Sequence, residues 1–218
     1  MARAMTFYQS LVGKKVVMAV TGAILFVFLI GHLLGNLQIF LGPKQLNAYA
    51  NFLKSTGELL WMVRAVLLAA LLFHILSAWQ ITLANWRARP VSYVLRKDVE
   101  TGYAARTMIY SGPLIFLYVI YHLLMFTFLT TGPGYSDTDV YRNVVLAFQV
   151  PLISGVYVAA MLCLGMHLFH GLWSMLQSLG INHPKWNRLR QVLATGVAVV
   201  IAAGYISIPV AILAGVVV

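Results

Sequence analysis

Five apolar runs, each long enough to cross a bilayer as a helix, occupy most of this sequence: residues 16–41, 59–83, 108–130, 144–176 and 192–218. A helix covers the hydrocarbon core with roughly 20 apolar residues. Within that core every backbone N–H and C=O must be satisfied internally, which leaves helices as the form such runs take. Composition agrees: 61% of residues are hydrophobic and 9% are charged, against about 25% charged in a soluble domain. A soluble enzyme and a disordered chain are both excluded. The predicted fold is an all-α integral membrane bundle of five transmembrane helices, one domain over residues 1–218. The fourth run is longer than a perpendicular span requires, so it is expected to tilt or project, with Pro151 in its first turns and Gly180 after its end. The first run is too long for a signal peptide, and no small-x-small cleavage site follows it. There is no repeat at a fixed period and no low-complexity tract. The longest gap, 84–107, is expected to be a polar loop or short surface helix.

The formal net charge is +10, which could suggest nucleic acid. The basic residues instead sit in short gaps between apolar runs, where they report topology. The N-terminus has Arg3, Lys14 and Lys15; the second gap has Arg87, Arg89, Arg96, Lys97 and Arg106; the fourth has Lys185, Arg188 and Arg190. The other side has only Lys44, Lys54 and Arg142. The positive-inside rule then places the N-terminus in the cytoplasm and the C-terminus outside, as an odd number of spans requires. The one cysteine, Cys163, allows no disulfide within the chain and reads as a small packing residue.

Histidine carries the chemistry. Five of the six histidines fall in apolar runs: His32 in the first, His74 in the second, His122 in the third, His167 and His170 in the fourth. Ionisable side chains are costly in a bilayer and mark functional sites. A lone one is often satisfied by a neighbouring helix, but one in each of four consecutive helices is a pattern. Counted from the turn residues at the helix ends, His32 and His122 lie roughly 15 Å, and His74 and His167 roughly 25 Å, from the outer boundary. That makes an outer pair and an inner pair. Each could clamp a flat group between two helices, and paired neutral imidazoles are the axial ligands of b-type haem.

In the fourth run, Ala160, Cys163, Gly171 and Ser174 form a small-residue stripe around His167, whereas Met166 and Trp173 crowd His170. His167 is therefore favoured as ligand, with His170 as a neighbouring or alternative one. Gly31 and Gly35 flank His32, and Ala70, Ser77 and Ala78 flank His74. Such small residues also serve ordinary helix contacts. A bc-type cytochrome b carries two ligand histidines on each of two helices, about 13 or 14 residues apart, a doublet this chain lacks.

These residues resemble a known family. Val12-Gly-Lys-Lys-Val-Val-Met-Ala-Val-Thr-Gly22 and Gly31-His-Leu-Leu-Gly-Asn-Leu-Gln38 look like the first helix of the single-subunit dihaem cytochrome b anchors of succinate dehydrogenase and fumarate reductase, the succinate:quinone oxidoreductases. Leu46-Asn-Ala-Tyr49, Leu72-Phe-His74, Tyr121-His122, His167-Leu-Phe-His-Gly-Leu-Trp-Ser174 and Gln177-Ser-Leu-Gly180 are similar to later segments. The resemblance spans essentially the whole chain. It implies five transmembrane helices, two b haems, docking on a flavoprotein and an iron–sulfur subunit, and electron exchange with a quinone (menaquinone or ubiquinone) in the inner, cytoplasmic membrane. His74 and His167 would bind the inner haem, nearer the iron–sulfur subunit on the cytoplasmic side, and His32 and His122 the outer one. In members with one histidine in the fourth-helix motif, it stands four residues before the glycine of Gly-Leu-Trp, which is His167 here. His170 departs from that simplest form.

Charged and hydroxyl residues near helix ends are candidates for haem propionates and for a quinone site, which needs an apolar slot with groups that exchange protons. Arg64 and Glu58 are the outer candidates; Ser174, His183 and Lys185 are the inner ones. Two other readings stay open. One is a cytochrome b of a hydrogenase or formate dehydrogenase, against which the fourth-helix motif argues. The other is a haem-free anchor or transporter whose histidines relay protons, and which would show no Soret band.

Overall fold

The computed structural model describes residues 7–88, 102–132 and 134–218. Arg3, Arg89, Arg96 and Lys97, and most of the 84–107 gap, lie outside the described residues. Seven α-helices follow in order: α1 Leu11–Asn36, α2 Pro43–Ser55, α3 Glu58–Arg87, α4 Tyr103–Phe126, α5 Val140–Phe148, α6 Pro151–Ser178 and α7 Asn187–Leu213. No strand occurs among the described residues. Five of the helices (α1, α3, α4, α6 and α7) are long and apolar enough to cross a membrane. Their outward faces carry exposed large apolar side chains such as Leu68, Leu72, Leu76 and Trp79 of α3, the surface a lipid-solvated bundle presents.

Local chemistry sets the ends. Ser10 Oγ accepts from the Gly13 N–H at 2.9 Å and caps α1. The last turn of α1 tightens to a 3-10 helix, Leu37–Leu41, and Gly42 at φ +95° turns the chain into α2. Gly57 at φ +54° turns α2 back into α3; both glycines occupy backbone that a Cβ disfavours.

The fourth run corrects an expectation. It is not one helix from 144 to 176 but two, broken at Gln149 and Val150. Val150 is extended (φ −85°, ψ 113°) because the following Pro151 disfavours helical geometry there, and Pro151 opens α6 at its first position. The fully buried Ser154 Oγ donates to the Phe148 carbonyl at 2.7 Å, satisfying an acceptor that the break leaves over. Thus α5 lies against α2 and the end of α7 as a cap, and only α6 crosses.

The close neighbours are α1 with α3, α1 with α6, α4 with α6, and α7 with both α6 and α1. The four histidine-bearing helices are therefore ordered α3–α1–α6–α4. Among the described residues, neither α1 with α4 nor α3 with α6 packs extensively, so those two pairs are the diagonals of the bundle. One apolar cluster (Leu33, Met161, Leu164, Leu168, Ala198, Ile201 among it) joins α1, α6 and α7. A second, around Met125, Phe148 and Tyr157, closes the capped end beneath α2 and α5. Lys14, Lys15, Arg87, Arg106, Lys185, Arg188 and Arg190 gather at the opposite, basic end.

Candidate functional site: two facing histidine pairs

The two diagonals carry the histidines. His74 on α3 faces His167 on α6 with ring centroids 6.4 Å apart and planes at 57°. His32 on α1 faces His122 on α4 at 5.8 Å and 87°. His74 lies level with Met18 and Gly22 of α1, and His167 lies level with Ser111 of α4. His32 and His122 are ten or more residues further along those same helices, so the pairs are separated by about 16 Å along the bundle.

Three of the four rings are held through Nδ1. His74 Nδ1–H donates to the Met18 carbonyl at 3.0 Å, with Thr21 Oγ1 at 3.4 Å. A carbonyl has no proton to give, so the hydrogen is on Nδ1 and Nε2 keeps a bare lone pair. His167 Nδ1 stands 3.1 Å from Ser111 Oγ, whose own O–H is directed to the Met108 carbonyl at 3.4 Å. His122 Nδ1 stands 3.3 Å from the Tyr157 hydroxyl, which donates onward to Met125 Sδ at 3.6 Å. With the ring in its Nδ1–H tautomer, each hydroxyl serves as the acceptor. Metal-ligating histidines are arranged this way, the distal N–H tied to an oxygen and the other nitrogen free. His32 is oriented by packing instead: Phe28, one turn before it, stacks on the ring at 5.2 Å and 17°, with Tyr205 at 6.1 Å.

His170 has a different neighbourhood. Its ring packs edge-on against Trp173 at 6.4 Å, and the ring opposite His74 is that of His167. Space also favours that face of α6. A Cβ added to the half-buried Gly171, one turn after His167, would meet nothing within 4 Å. Gly35 makes an ordinary helix contact, the alternative open to the small residues beside the histidines. A Cβ there would stand 2.6 Å from the Tyr49 ring, so this glycine seats α2 against α1.

The donor set fits a haem better than a bare ion. Among the described residues no cluster of three or more His, Cys, Asp or Glu forms, whereas a structural zinc takes four protein ligands. A haem takes its four equatorial nitrogens from the macrocycle and asks the protein for two axial ones. Two imidazoles on opposite sides of one metal place their ring centres about 6 Å apart, the spacing both pairs already have. Among the described residues four buried donors have no partner, Tyr135 Oη, Arg190 Nε and, near the inner pair, Ser77 Oγ and Trp173 Nε1. Ser77 and Trp173 lie toward the basic end from the inner pair and are free for a polar edge.

The remaining sequence candidates are not drawn into either pair. Arg64 is exposed on α3, its guanidinium 5.0 Å over the Trp61 ring. Glu58 is exposed in the first turn of α3. His183 is exposed and accepts from the Lys185 N–H at 3.2 Å, capping the short turn Pro184–Trp186. Ser174 is half-buried on α6. Sequence reasoning missed Met18, Thr21, Ser111 and Tyr157, the acceptors. A hydroxyl eleven positions before both His32 and His122 was the available signal for two of them.

No family model, curated protein or solved structure matches the chain. The fold and site define an α-helical membrane bundle with two histidine pairs facing across its diagonals.

Proposed function

We propose that this chain is the membrane-anchor cytochrome b subunit of a succinate:quinone oxidoreductase, holding one b haem between His74 and His167 and a second between His32 and His122. The observation that carries this reading is the arrangement of the two diagonals: facing imidazoles at ligand spacing, with the Nδ1 of three rings tied to an oxygen. A bis-histidine haem supplies reversible one-electron chemistry at its iron. The chain's own part is placement. Met18, Thr21 and Ser111 hold the inner rings, Tyr157 holds one outer ring, and the apolar clusters around Leu168 and Phe148 keep water out. Two stations about 16 Å apart divide a core roughly 30 Å thick into shorter electron steps.

Under the positive-inside rule the basic end is cytoplasmic. The iron–sulfur and flavoprotein subunits dock there, the succinate-oxidising flavin site lies on a partner chain, and the complex resides in the inner, cytoplasmic membrane. The quinone is the membrane-side reactant. Ser174 and His183 at the basic end, and Glu58 and Arg64 at the other, are the polar residues within reach of a quinone at the bilayer surface.

The test is a reduced-minus-oxidised spectrum with pyridine-haem quantification on wild type, His167→Ala and His170→Ala. Two b haems per chain, with one lost only in His167→Ala, is the expected result. Loss only in His170→Ala would overturn the α6 assignment. Absence of a Soret band would sink the cytochrome reading in favour of a haem-free anchor or proton-relaying transporter.

A further inference from the structure

Residues 21–34 and 111–124 align without a gap at an offset of 90 positions. Thr21-Gly22 matches Ser111-Gly112, Phe26 matches Phe116, Ile30 matches Ile120, and His32-Leu33-Leu34 matches His122-Leu123-Leu124. The match is confined to α1 and α4, which is why no period runs through the whole chain. Eleven residues make three helical turns, so the hydroxyl and the histidine of each copy share a face about 16 Å apart.

Both copies do the same thing. Each gives its histidine to the outer pair, and its hydroxyl to an inner histidine on the neighbouring helix of its own half. Thr21 Oγ1 reaches His74 Nδ1 at 3.4 Å from α1 to α3, and Ser111 Oγ reaches His167 Nδ1 at 3.1 Å from α4 to α6. Each hydroxyl has a backbone carbonyl to donate to, Val17 at 2.7 Å and Met108 at 3.4 Å. The hydroxyl lone pairs are left for the imidazole N–H. The copies differ in one respect. His74 Nδ1–H also has the Met18 carbonyl at 3.0 Å, and the glycine after Thr21 makes room for that approach: a Cβ on Gly22 would stand 3.2 Å from His74 Cε1. No Cβ contact arises within 4 Å at Gly112, and Ser111 is the acceptor for His167.

We propose that Thr21 and Ser111 are a matched pair of positioning residues for the inner haem. They would hold the imidazoles of His74 and His167 as Nδ1–H tautomers and raise the electron donation of these residues to the iron of a bound haem. This rests on the dihaem reading. An oxygen accepting from Nδ1–H increases the basicity of the ligating nitrogen and so favours the oxidised metal. Removing it moves the midpoint potential of that haem upward.

The experiment is a potentiometric titration of both haems in the purified complex, wild type against Ser111→Ala and Thr21→Val, the inner haem being the one lost in His167→Ala. Ser111→Ala is expected to lower the ferric-to-ferrous ratio of the inner haem at a fixed potential about tenfold, a rise of about 59 mV for a one-electron couple. Thr21→Val shifts it less, because the Met18 carbonyl remains. The outer haem stays put in both. Ser111→Thr restores the wild-type value, which a merely structural defect would not do, and it carries the test if Ser111→Ala does not assemble. Two bound haems with an unmoved inner potential in Ser111→Ala would overturn this proposal while leaving the cytochrome reading intact. Equal shifts of both haems would also overturn it. A wild type without haem would remove the underlying reading itself.

Discussion

The Tyr157 hydroxyl stands 3.3 Å from His122 Nδ1 and 3.6 Å from Met125 Sδ, a weak acceptor for its O–H. A phenol on α6 thus orients an imidazole on α4, inside an aromatic cluster in which Phe148 packs edge-on against Tyr157 at 4.8 Å. Tyr157→Phe keeps the ring and removes the acceptor. On the proposed dihaem reading it should retain both haems and raise the potential of the outer one alone, and it should destabilise the fold by about 1–3 kcal/mol through the orphaned N–H. Tyr157→Ala should cost more, about 3–5 kcal/mol, because it also opens a cavity. Redox titration together with thermal unfolding separates the two contributions. Loss of the outer haem in Tyr157→Phe would contradict the assigned role.

Arg64 looked like a propionate ligand from its place near the end of a span. Its guanidinium lies over Trp61 on the exposed face of α3. On the proposed dihaem reading, Arg64→Ala should therefore leave the haem content and spectra unchanged. Its stability effect should stay near the 0.5–1 kcal/mol expected of an exposed cation–π contact. A missing haem in this variant would show that the side chain does turn inward.

Arg190 is only 4% exposed and holds the turn between α6 and α7. It donates to the Ile181 carbonyl, to Asn182 Oδ1 at 2.9 Å and to Asn187 Oδ1. Lysine lacks the planar fork that serves three acceptors at once. Arg190→Lys and Arg190→Ala should both loosen residues 181–187, with Arg190→Ala costing about 1–3 kcal/mol as the hydrogen bonds of the buried guanidinium to these exposed residues are lost. Limited proteolysis at this turn, compared with the distant α2–α5 cap, reads the effect; equal cleavage of both regions would argue for global unfolding instead.

At the capped end, Asp139 is held below the usual carboxylate range, first by the Arg142 backbone N–H and then by the Asn47 side-chain amide. The hydrogen bonds measure 3.0 and 2.9 Å. The sign is that of a depressed acid. The stabilising contribution is complete above the unfolded value near 3.9 and disappears as pH falls through the lower folded value. Asp139 ties α5 to α2, so cleavage of this cap should be flat through neutral pH and rise only in strong acid. Asp139→Asn should remove that acid dependence. A transition near pH 6 in wild type would place the controlling group elsewhere.

Much of this was legible residue by residue. The spans follow from apolar run length, and the two depths of His32, His74, His122 and His167 follow from counting at a fixed rise per residue. The break at Gln149–Val150 carried a signal in Pro151, but the apolar run continues across it, and run length alone cannot separate a capping helix from a crossing one. The small residues beside the histidines were ambiguous for a related reason: Gly35 and Gly171 look alike in sequence, yet one touches Tyr49 and the other borders open space. The acceptors were harder still. Ser111 and His167 are 56 positions apart, and nothing local to either residue names the other.

The sequence by itself determined that this chain is an all-α bundle with five apolar helices, and that four of them each carry a histidine at one of two levels. Transfer into lipid and helical rise act along one segment at a time, so they can be summed from the residues alone. Only the tertiary structure decided that α1 faces α4 and α3 faces α6 across the diagonals, that His167 rather than His170 turns toward His74, and which oxygens meet the Nδ1 atoms. Those outcomes depend on the rotation of each helix about its own axis. That rotation is set by how neighbouring surfaces interlock, a property shared between helices and encoded in none of them singly.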